Sequence, residues 1–201
     1  MMNTSEARRI ILASTSPRRR ELVVSLHLPF EVIPSLADET VEEGWKPERI
    51  VTELAKRKAE AVYHALEPER RGGVIVGSDT IVVRDGTVLG KPADKKEAAD
   101  MLRSLQGRTH EVFSGIACVD STTGTSLVNY KKTIVTMREM KEEEVLAYAD
   151  TGEGLDKAGA YAIQGLGATI VTGIEGCYFN VVGLPLSLLS EMLETFGISV
   201  L

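Results

Sequence analysis

One segment, residues 73–83 (GVIVGSDTIVV), restricts the possible folds more than any other. Its valines and isoleucines favour extended backbone, yet Gly77-Ser78-Asp79 interrupts them with a carboxylate. Burying an aspartate in such apolar surroundings is costly unless a cation or a metal ion compensates its charge. The pattern predicts two β segments separated at Gly77-Ser78-Asp79, and it leaves Asp79 as either a turn residue or a functional carboxylate.

Strand-forming and helix-forming segments alternate along the remainder of the chain. Ser16 and Pro17 are typical of a helix N-cap and first turn, and Asp85-Gly86 is typical of a tight turn between strands. The acidic, aperiodic stretch 35–45 predicts a loop. Further strands are predicted at 9–13, 30–34, 109–119, 125–137, 168–174 and 177–182, and further helices at 94–106, at 141–149 and from Pro47 and Pro185 onwards. This order predicts an α/β or α+β protein built on a mixed, twisted sheet with flanking helices.

The length, charge and composition of the chain exclude several classes of protein. Its 201 residues suit one domain, expected to cover residues 1–201, or two closely packed lobes. The formal net charge of −6 argues against a general nucleic-acid binder, which needs a basic surface. No apolar run approaches the roughly 18 residues of a membrane span, and the N-terminal apolar stretch is too short for a signal peptide. Cys118 and Cys177 lack metal-ligand spacing and are expected to be buried thiols in a reducing compartment.

A basic turn, defined here as residues 14–20 (STSPRRR), joins the first predicted strand to the first helix. Backbone N–H groups at a helix N-terminus favour an anion, and the hydroxyl and guanidinium groups add donors. Basic side chains are unfavourable at that end of a helix, so three in a row need a reason. The turn is either a phosphate-binding site or a capped helix with a solvated basic first turn.

Other polar residues have a functional and an ordinary interpretation. The neighbouring carboxylates Asp38 and Glu39 suit a hard cation, although a solvated acidic loop is the commoner explanation. Lys58, in a predicted helix, and Lys91 and Lys157, close to glycines, can bind phosphate or lie in solvent. The amide of Gln164 can donate to and accept from a base edge, or it can lie on the surface.

Several catalytic templates are absent from the sequence. It has no G-x-x-x-x-G-K-[ST] loop, no H-E-x-x-H pair and no G-x-S-x-G elbow. The three histidines, His27, His64 and His110, are scattered and suggest no histidine-based nucleophile or base. Carboxylates together with a metal ion are therefore the chemistry that the sequence offers.

Six segments in order along nearly the whole chain resemble the Maf family of nucleotide pyrophosphatases. They are LASTSPRRREL, LAKRKAEAV, VGSDTIVVRDG, LGKP, LDKAGAYAIQG and NVVGLPL. The resemblance implies an α/β fold with two lobes around a central cleft, as in the inosine triphosphate pyrophosphatases. It also implies a cytoplasmic location, a divalent metal cation (Mg²⁺ or Mn²⁺) and a possible homodimer, with a nucleotide as substrate and no nucleic-acid or membrane partner.

The resemblance also implies roles for individual residues. It makes Asp79 the catalytic proton acceptor and a metal ligand, with the second metal ligand at Asp38 or Glu39. Relatives often have two glutamates where this chain has Asp38-Glu39, so both candidates stay open. The positions matching those that bind substrate or select it are Ser14, Ser16, Arg18, Arg19, Lys58, Thr80, Lys91 and Gln164.

The segment YAIQG (161–165) resembles the branch of the family that acts on dTTP and UTP. Ala162 stands where glycine is common, a small change. The resemblance therefore implies hydrolysis of dTTP, UTP or modified pyrimidine nucleotides to the monophosphate and pyrophosphate. The alternative is a nucleotide-binding regulator of septum formation with little turnover, which would keep the basic turn but would not require Asp79.

Overall fold

The computed structural model describes residues 8–201, which form a sheet with helices on its flanks. The strands are β1 (Ile10–Leu12), β2 (Phe30–Val32), β3 (Val74–Arg84), β4 (Thr87–Leu89), β5 (Thr109–Asp120), β6 (Ser126–Met137) and β7 (Val171–Glu175). The helices are α1 (Pro17–Val24), α2 (Pro47–Ala65), α3 (Lys95–Leu105), α4 (Glu142–Thr151), α5 (Tyr178–Val182) and α6 (Leu186–Glu194). Short 3-10 turns lie at Pro68–Arg70, Ala158–Ala160 and Gly165–Thr169. Within this part of the chain, no helix has the length and apolar composition needed to cross a membrane.

The sheet is mixed, as the sequence predicts. Its strand order is β2-β1-β3-β5-β6-β7, and β4 pairs with β3 outside this path. Strand β1 is parallel to both β2 and β3, whereas β4 is antiparallel to β3 and β7 is antiparallel to β6. Helix α1 supplies the crossover that a parallel β1–β2 pair requires.

The described residues divide into two compact units. The first unit contains the residues through Asp79 together with Gly115–Tyr130 and Leu186–Leu201, and the second contains Thr80–Ser114 and Lys131–Pro185. Each unit has its own cluster of buried apolar side chains. Part of each of the strands β3, β5 and β6 belongs to the first unit, and the rest of that strand belongs to the second. A single domain over residues 1–201 stays a prediction.

Two glycines let helix α2 lie directly on the sheet in the first unit. A Cβ added at Gly77 on β3 would lie 2.2 Å from the carbonyl oxygen of Ala55 and 2.8 Å from the nitrogen of Ala59. At Gly115 on β5 it would lie 2.2 Å from the carbonyl oxygen of Val51. Since real Cβ atoms do not approach backbone so closely, only glycine permits this helix–sheet distance.

Two of the predicted elements are wrong. Residues 73–83 are not interrupted at Gly77-Ser78-Asp79, because β3 runs unbroken from Val74 to Arg84 and the Asp79 carboxylate is paired with a lysine. Residues 177–182 are not a strand, because Tyr178–Val182 is helix α5. The aromatic and β-branched residues there favour a strand, but the buried Asn180 amide donates to the Val112 carbonyl and to Thr133 Oγ1, and these tertiary contacts outweigh local preference.

The two cysteines differ in their burial. Cys118 is buried in β5, as predicted, and burial raises the pKa of its thiol to about 12. Cys177, also expected to be buried, is only partly so, because it precedes α5 rather than lying inside a strand.

Candidate active site

Asp79 lies beneath helix α2, where it meets Lys58. Side chains two apart on a strand share a face, so Asp79 projects on the same side as Gly77, against which α2 packs. Lys58 Nζ lies 2.6 Å from Asp79 Oδ1, and each of the two side chains is only 12% exposed. Removing one partner of such a buried pair is strongly unfavourable unless another charge compensates the one that remains.

A second carboxylate reaches the same lysine. Glu39 Oε1 lies 3.2 Å from Lys58 Nζ, so the ammonium group is shared between Glu39 and Asp79. Asp38 Oδ1 instead accepts hydrogen bonds from Thr40 N at 2.9 Å and Thr40 Oγ1 at 2.6 Å. These bonds hold the pKa of Asp38 below its usual value. Of the two neighbouring carboxylates, Glu39 is therefore the one placed beside Asp79.

Arg57 holds the acidic loop on both sides of Glu39. Its guanidinium donates to the Thr40 carbonyl at 2.6 Å and to the Asp38 carbonyl at 3.4 Å. Its Nε also donates to Glu53 one helical turn earlier, which fixes the side chain along α2. Adjacent residues of one helix thus bind the loop backbone and the Glu39 carboxylate.

The hydroxyl groups of the basic turn shape the start of α1. Ser16 is the N-cap, and its Oγ accepts the N–H of Arg19 at 3.5 Å, while Pro17 occupies the first turn as predicted. Ser14, which is buried, accepts the N–H of Ser16 through its Oγ at 3.2 Å. A hydroxyl that accepts one hydrogen bond still has a proton to donate, so capping is compatible with binding an anion.

The arginines of this turn favour a negatively charged ligand. The first turn of α1 contains no acidic residue to offset them. Burial lowers the pKa of the Arg19 guanidinium, the Asp79 carboxylate partly restores it, and Arg18 lowers it further. The Nε of Arg18 is buried without a hydrogen-bond partner. Since a buried unsatisfied donor is costly, an anion bound here would remove an existing penalty.

The donor set of the first unit fits a magnesium-type cation. Among residues 8–201, no three His, Cys, Asp or Glu side chains are grouped so that they alone could hold a metal ion. Mg²⁺, however, is usually bound by one or two carboxylates, with water and substrate phosphate completing its shell. Asp79 and Glu39, which share Lys58, match that requirement.

The three remaining candidates lie in the second unit. Thr80 follows Asp79 in β3, and its Oγ1 is 2.7 Å from Ser114 Oγ and 3.4 Å from the Gly183 carbonyl to which it donates. Lys91 is exposed just after β4. Gln164 is partly buried and stands immediately before the 3-10 turn Gly165–Thr169.

Two further residues from the sequence patterns have structural partners in the second unit. The Lys157 ammonium donates to the Glu153 carbonyl and to the Asp156 carboxylate. His110 Nε2 lies 2.6 Å from the Tyr161 hydroxyl, and burial lowers the pKa of His110 to about 4. His110 is therefore neutral at pH 7 and carries no charge that could attract phosphate.

A mixed α/β sheet with a carboxylate–lysine–carboxylate group and a basic helix N-terminus defines a protein suited to phosphate chemistry. The fold is that of the Ham1 protein of Staphylococcus aureus, whose structure matches with a TM-score of 0.52 at 16% identity, covering 94% of this chain and 99% of the other. Residues 9–196 match the family model described as Maf-like protein. The chain belongs to the Maf family, which confirms the resemblance.

Close relatives share nearly the whole length of the chain. The dTTP/UTP pyrophosphatase of Moorella thermoacetica is 49% identical over 192 residues, covering 96% of this chain and 97% of its own. That of Thermoanaerobacter sp. (strain X514) is 50% identical over 186 residues, covering 92% and 95%. That of Caldicellulosiruptor saccharolyticus is 44% identical over 190 residues, covering 94% and 96%.

The sequence patterns did not single out three residues that hold the candidate site segments. Arg57 is one, and the others are Tyr148 and Glu153, which contact residues on both sides of Gln164. Arg57 lies beside Lys58 in a basic helical stretch, and nothing in the sequence indicates that the two side chains have different roles. Glu153, between two glycines after a helix, resembles an ordinary loop residue.

Proposed function

We propose that this chain is a nucleoside triphosphate pyrophosphatase that hydrolyses dTTP and UTP, and modified pyrimidine nucleotides, to the monophosphate and pyrophosphate. The observation that supports this activity best is the Lys58 ammonium bound by both Asp79 and Glu39 in a chain of the Maf family. Relatives 44–50% identical over almost the full length carry the name dTTP/UTP pyrophosphatase.

In the proposed reaction Asp79 accepts the proton of the water that attacks the α-phosphorus. The Lys58 ammonium donates to Oδ1 of Asp79 and so restrains the carboxylate. We assign the proton-accepting role to the second carboxylate oxygen. Asp79 and Glu39 would hold a divalent cation, which would supply Lewis-acid polarisation of the phosphate oxygens when bound. No covalent intermediate is required.

The cations of the chain stabilise charge on the leaving pyrophosphate. Arg18 and Arg19 lie in the basic turn, and Lys58 and Lys91 add two ammonium groups. Phosphoryl transfer depends mainly on positioning and on electrostatic stabilisation of the departing oxygens. We assign the hydroxyls of Ser14 and Ser16 to phosphate oxygens, and Arg18, Thr80 and Gln164 to substrate selection.

The first prediction concerns substrate and products. A panel of canonical and modified nucleoside triphosphates with Mg²⁺ is expected to yield pyrophosphate and the monophosphate, fastest with dTTP and UTP. Phosphorus NMR identifies the bond that is cleaved. Stoichiometric orthophosphate without pyrophosphate contradicts cleavage between the α- and β-phosphorus atoms, and tight nucleotide binding without turnover favours the regulator.

The second prediction concerns Gln164→Ala, which is expected to weaken the preference for dTTP and UTP. Uracil and thymine present two carbonyl acceptors flanking one N–H donor, and a glutamine amide can both donate to and accept from that edge. Leaving such groups unpaired costs about 1–3 kcal/mol, or roughly tenfold in kcat/KM. The ratio of kcat/KM for dTTP, UTP, CTP and GTP in wild type and variant measures the effect.

An unchanged substrate ranking in the Gln164→Ala variant contradicts this role for Gln164. If GTP is the best substrate of the wild type, the pyrimidine assignment itself is wrong. A cytoplasmic location and a homodimer, both implied by the family resemblance, remain predictions of this proposal.

A further inference from the structure

We infer that Glu153 and Tyr148 are positioning residues for substrate discrimination, because together they fix the backbone on both sides of Gln164. The inference rests on the proposed function, in which Gln164 contacts the base. It concerns a segment of the second unit, residues 161–167, in which Gln164 lies between two anchored stretches of backbone.

Glu153 anchors the backbone that follows Gln164. Its Oε1 accepts the N–H of Leu166 at 2.9 Å, and its Oε2 accepts the N–H of Gly167 at 2.9 Å. Both carboxylate oxygens are therefore used on consecutive backbone donors. Hydrogen bonds from backbone N–H groups to a charged carboxylate are about twice as strong as neutral ones, so this contact restrains the start of the 3-10 turn Gly165–Thr169.

Tyr148 anchors the backbone that precedes Gln164. Its hydroxyl accepts the N–H of Ala162 at 3.1 Å and donates its own proton to Glu153 Oε2 at 2.6 Å. The ring is buried in helix α4, only 7% exposed, so the hydroxyl has little freedom to move. One connected pair of side chains thus holds residues 162 and 166–167 together.

The segment between these anchors is folded tightly on itself. Gly165 has φ +64°, and a Cβ there would lie 2.1 Å from Glu153 Oε1. A Cβ at Gly167 would lie 1.9 Å from the Ala162 carbonyl oxygen and 2.8 Å from the Tyr148 hydroxyl. With both flanks fixed, the direction of the Gln164 side chain is set by the anchors. A catalytic role for Glu153 is not needed.

Glu153→Gln tests the inference with almost no change of shape. Glutamine has one acceptor oxygen and one NH₂ group. The NH₂ group must therefore face a donor from Leu166, Gly167 or Tyr148, and that donor loses its acceptor. The ratio of kcat/KM for dTTP to that for CTP is expected to fall roughly tenfold, the size of one lost hydrogen bond to a charged group. Thermal unfolding measured alongside shows whether the variant is folded.

The matched control is Glu142→Gln. Glu142 begins the same helix α4, carries the same charge and pairs with Arg103, and both of these side chains are exposed. The substitution changes the net charge equally but is expected to leave the dTTP-to-CTP ratio unchanged. An equal loss of discrimination in both variants is a general charge effect and overturns the inference.

A double-mutant cycle separates positioning from stability. Glu153→Gln in a Gln164→Ala background is expected to change the ratio little, because the residue being positioned is already gone. Full additivity of the two losses overturns the inference. If Glu153→Gln does not fold, Tyr148→Phe removes only the hydroxyl, and with it the bond from the Ala162 N–H and the bond to the Glu153 carboxylate. The ratio is then expected to fall roughly threefold or more, and an unchanged ratio overturns the inference.

The two proposals fail in different ways. A wild-type enzyme that does not prefer dTTP and UTP contradicts the proposed function before any variant is made. A wild-type enzyme with that preference, together with a folded Glu153→Gln variant that keeps it, contradicts only the positioning role.

Discussion

Asp79→Asn is expected to abolish nearly all pyrophosphate release, lowering kcat by roughly 10²-fold or more, the usual contribution of a general base. Asparagine preserves the shape of the side chain but neither accepts a proton nor binds a hard cation strongly. The fold is expected to survive, because Lys58 keeps Glu39 as a partner at 3.2 Å. Steady-state turnover of dTTP, measured beside circular dichroism and thermal unfolding, separates lost chemistry from lost structure.

Asp120→Asn is the matched control for this loss. Asp120 belongs to the same unit, is 13% exposed, and forms an ion pair with Arg8 at 2.6 Å, so it resembles Asp79 in burial and pairing. Its substitution is expected to lower thermal stability without a comparable loss of turnover. Wild-type turnover in a folded Asp79→Asn variant contradicts the role of Asp79 as proton acceptor. Another carboxylate would then have that role, with Asp38 and Glu39 as the first candidates.

Local structure could be predicted wherever one residue type decides it. Ser16 and Asp94 are N-caps of α1 and α3, as their side chains suggest. Asp85 and Gly86 both have positive φ, which is the backbone that a tight hairpin turn requires. These features depend on neighbours in sequence, so the amino-acid sequence alone is enough to predict them.

The pairing at the centre of the candidate site could not be predicted in the same way. Lys58 and Asp79 are both conspicuous in the sequence, but 21 residues and a helix–sheet contact separate them. Their distance depends on how closely α2 lies on β3, which Gly77 and the small residues Ala55 and Ala59 allow. Small residues opposite a strand glycine are a weak pattern when their partner is unknown.

The wrong strand prediction at residues 177–182 and the unrecognised role of Glu153 have a related cause. Both depend on contacts between residues that are distant in sequence. Tyr178–Val182 has the composition of a strand, but the amide of Asn180 bonds to groups 47 and 68 residues away. The sequence does not identify Glu153, because its carboxylate accepts the N–H groups of Leu166 and Gly167 only when the chain folds back towards it. Local preference is a weak guide wherever a buried polar group selects its own partners.

Removal of divalent cations with EDTA is expected to eliminate turnover, and Mg²⁺ or Mn²⁺ is expected to restore it. The chain offers oxygen ligands and no histidine–cysteine cluster in the sequence, so a hard cation is the expected type. A triphosphate is highly anionic, and Asp79 and Glu39 bring two further negative charges to the same place. Without a cation, Lys58 is left to balance both carboxylates and has little charge to offer the substrate.

Titration with Mg²⁺ distinguishes the two candidate ligands in the acidic loop. Glu39→Gln is expected to raise the Mg²⁺ concentration for half-maximal turnover by roughly tenfold or more, because one of two carboxylate ligands is lost. Asp38→Asn is expected to leave it nearly unchanged, since that side chain is bonded to Thr40 within its own loop. The reverse order would make Asp38 the ligand, and full turnover in metal-free buffer would remove the cation from the mechanism altogether.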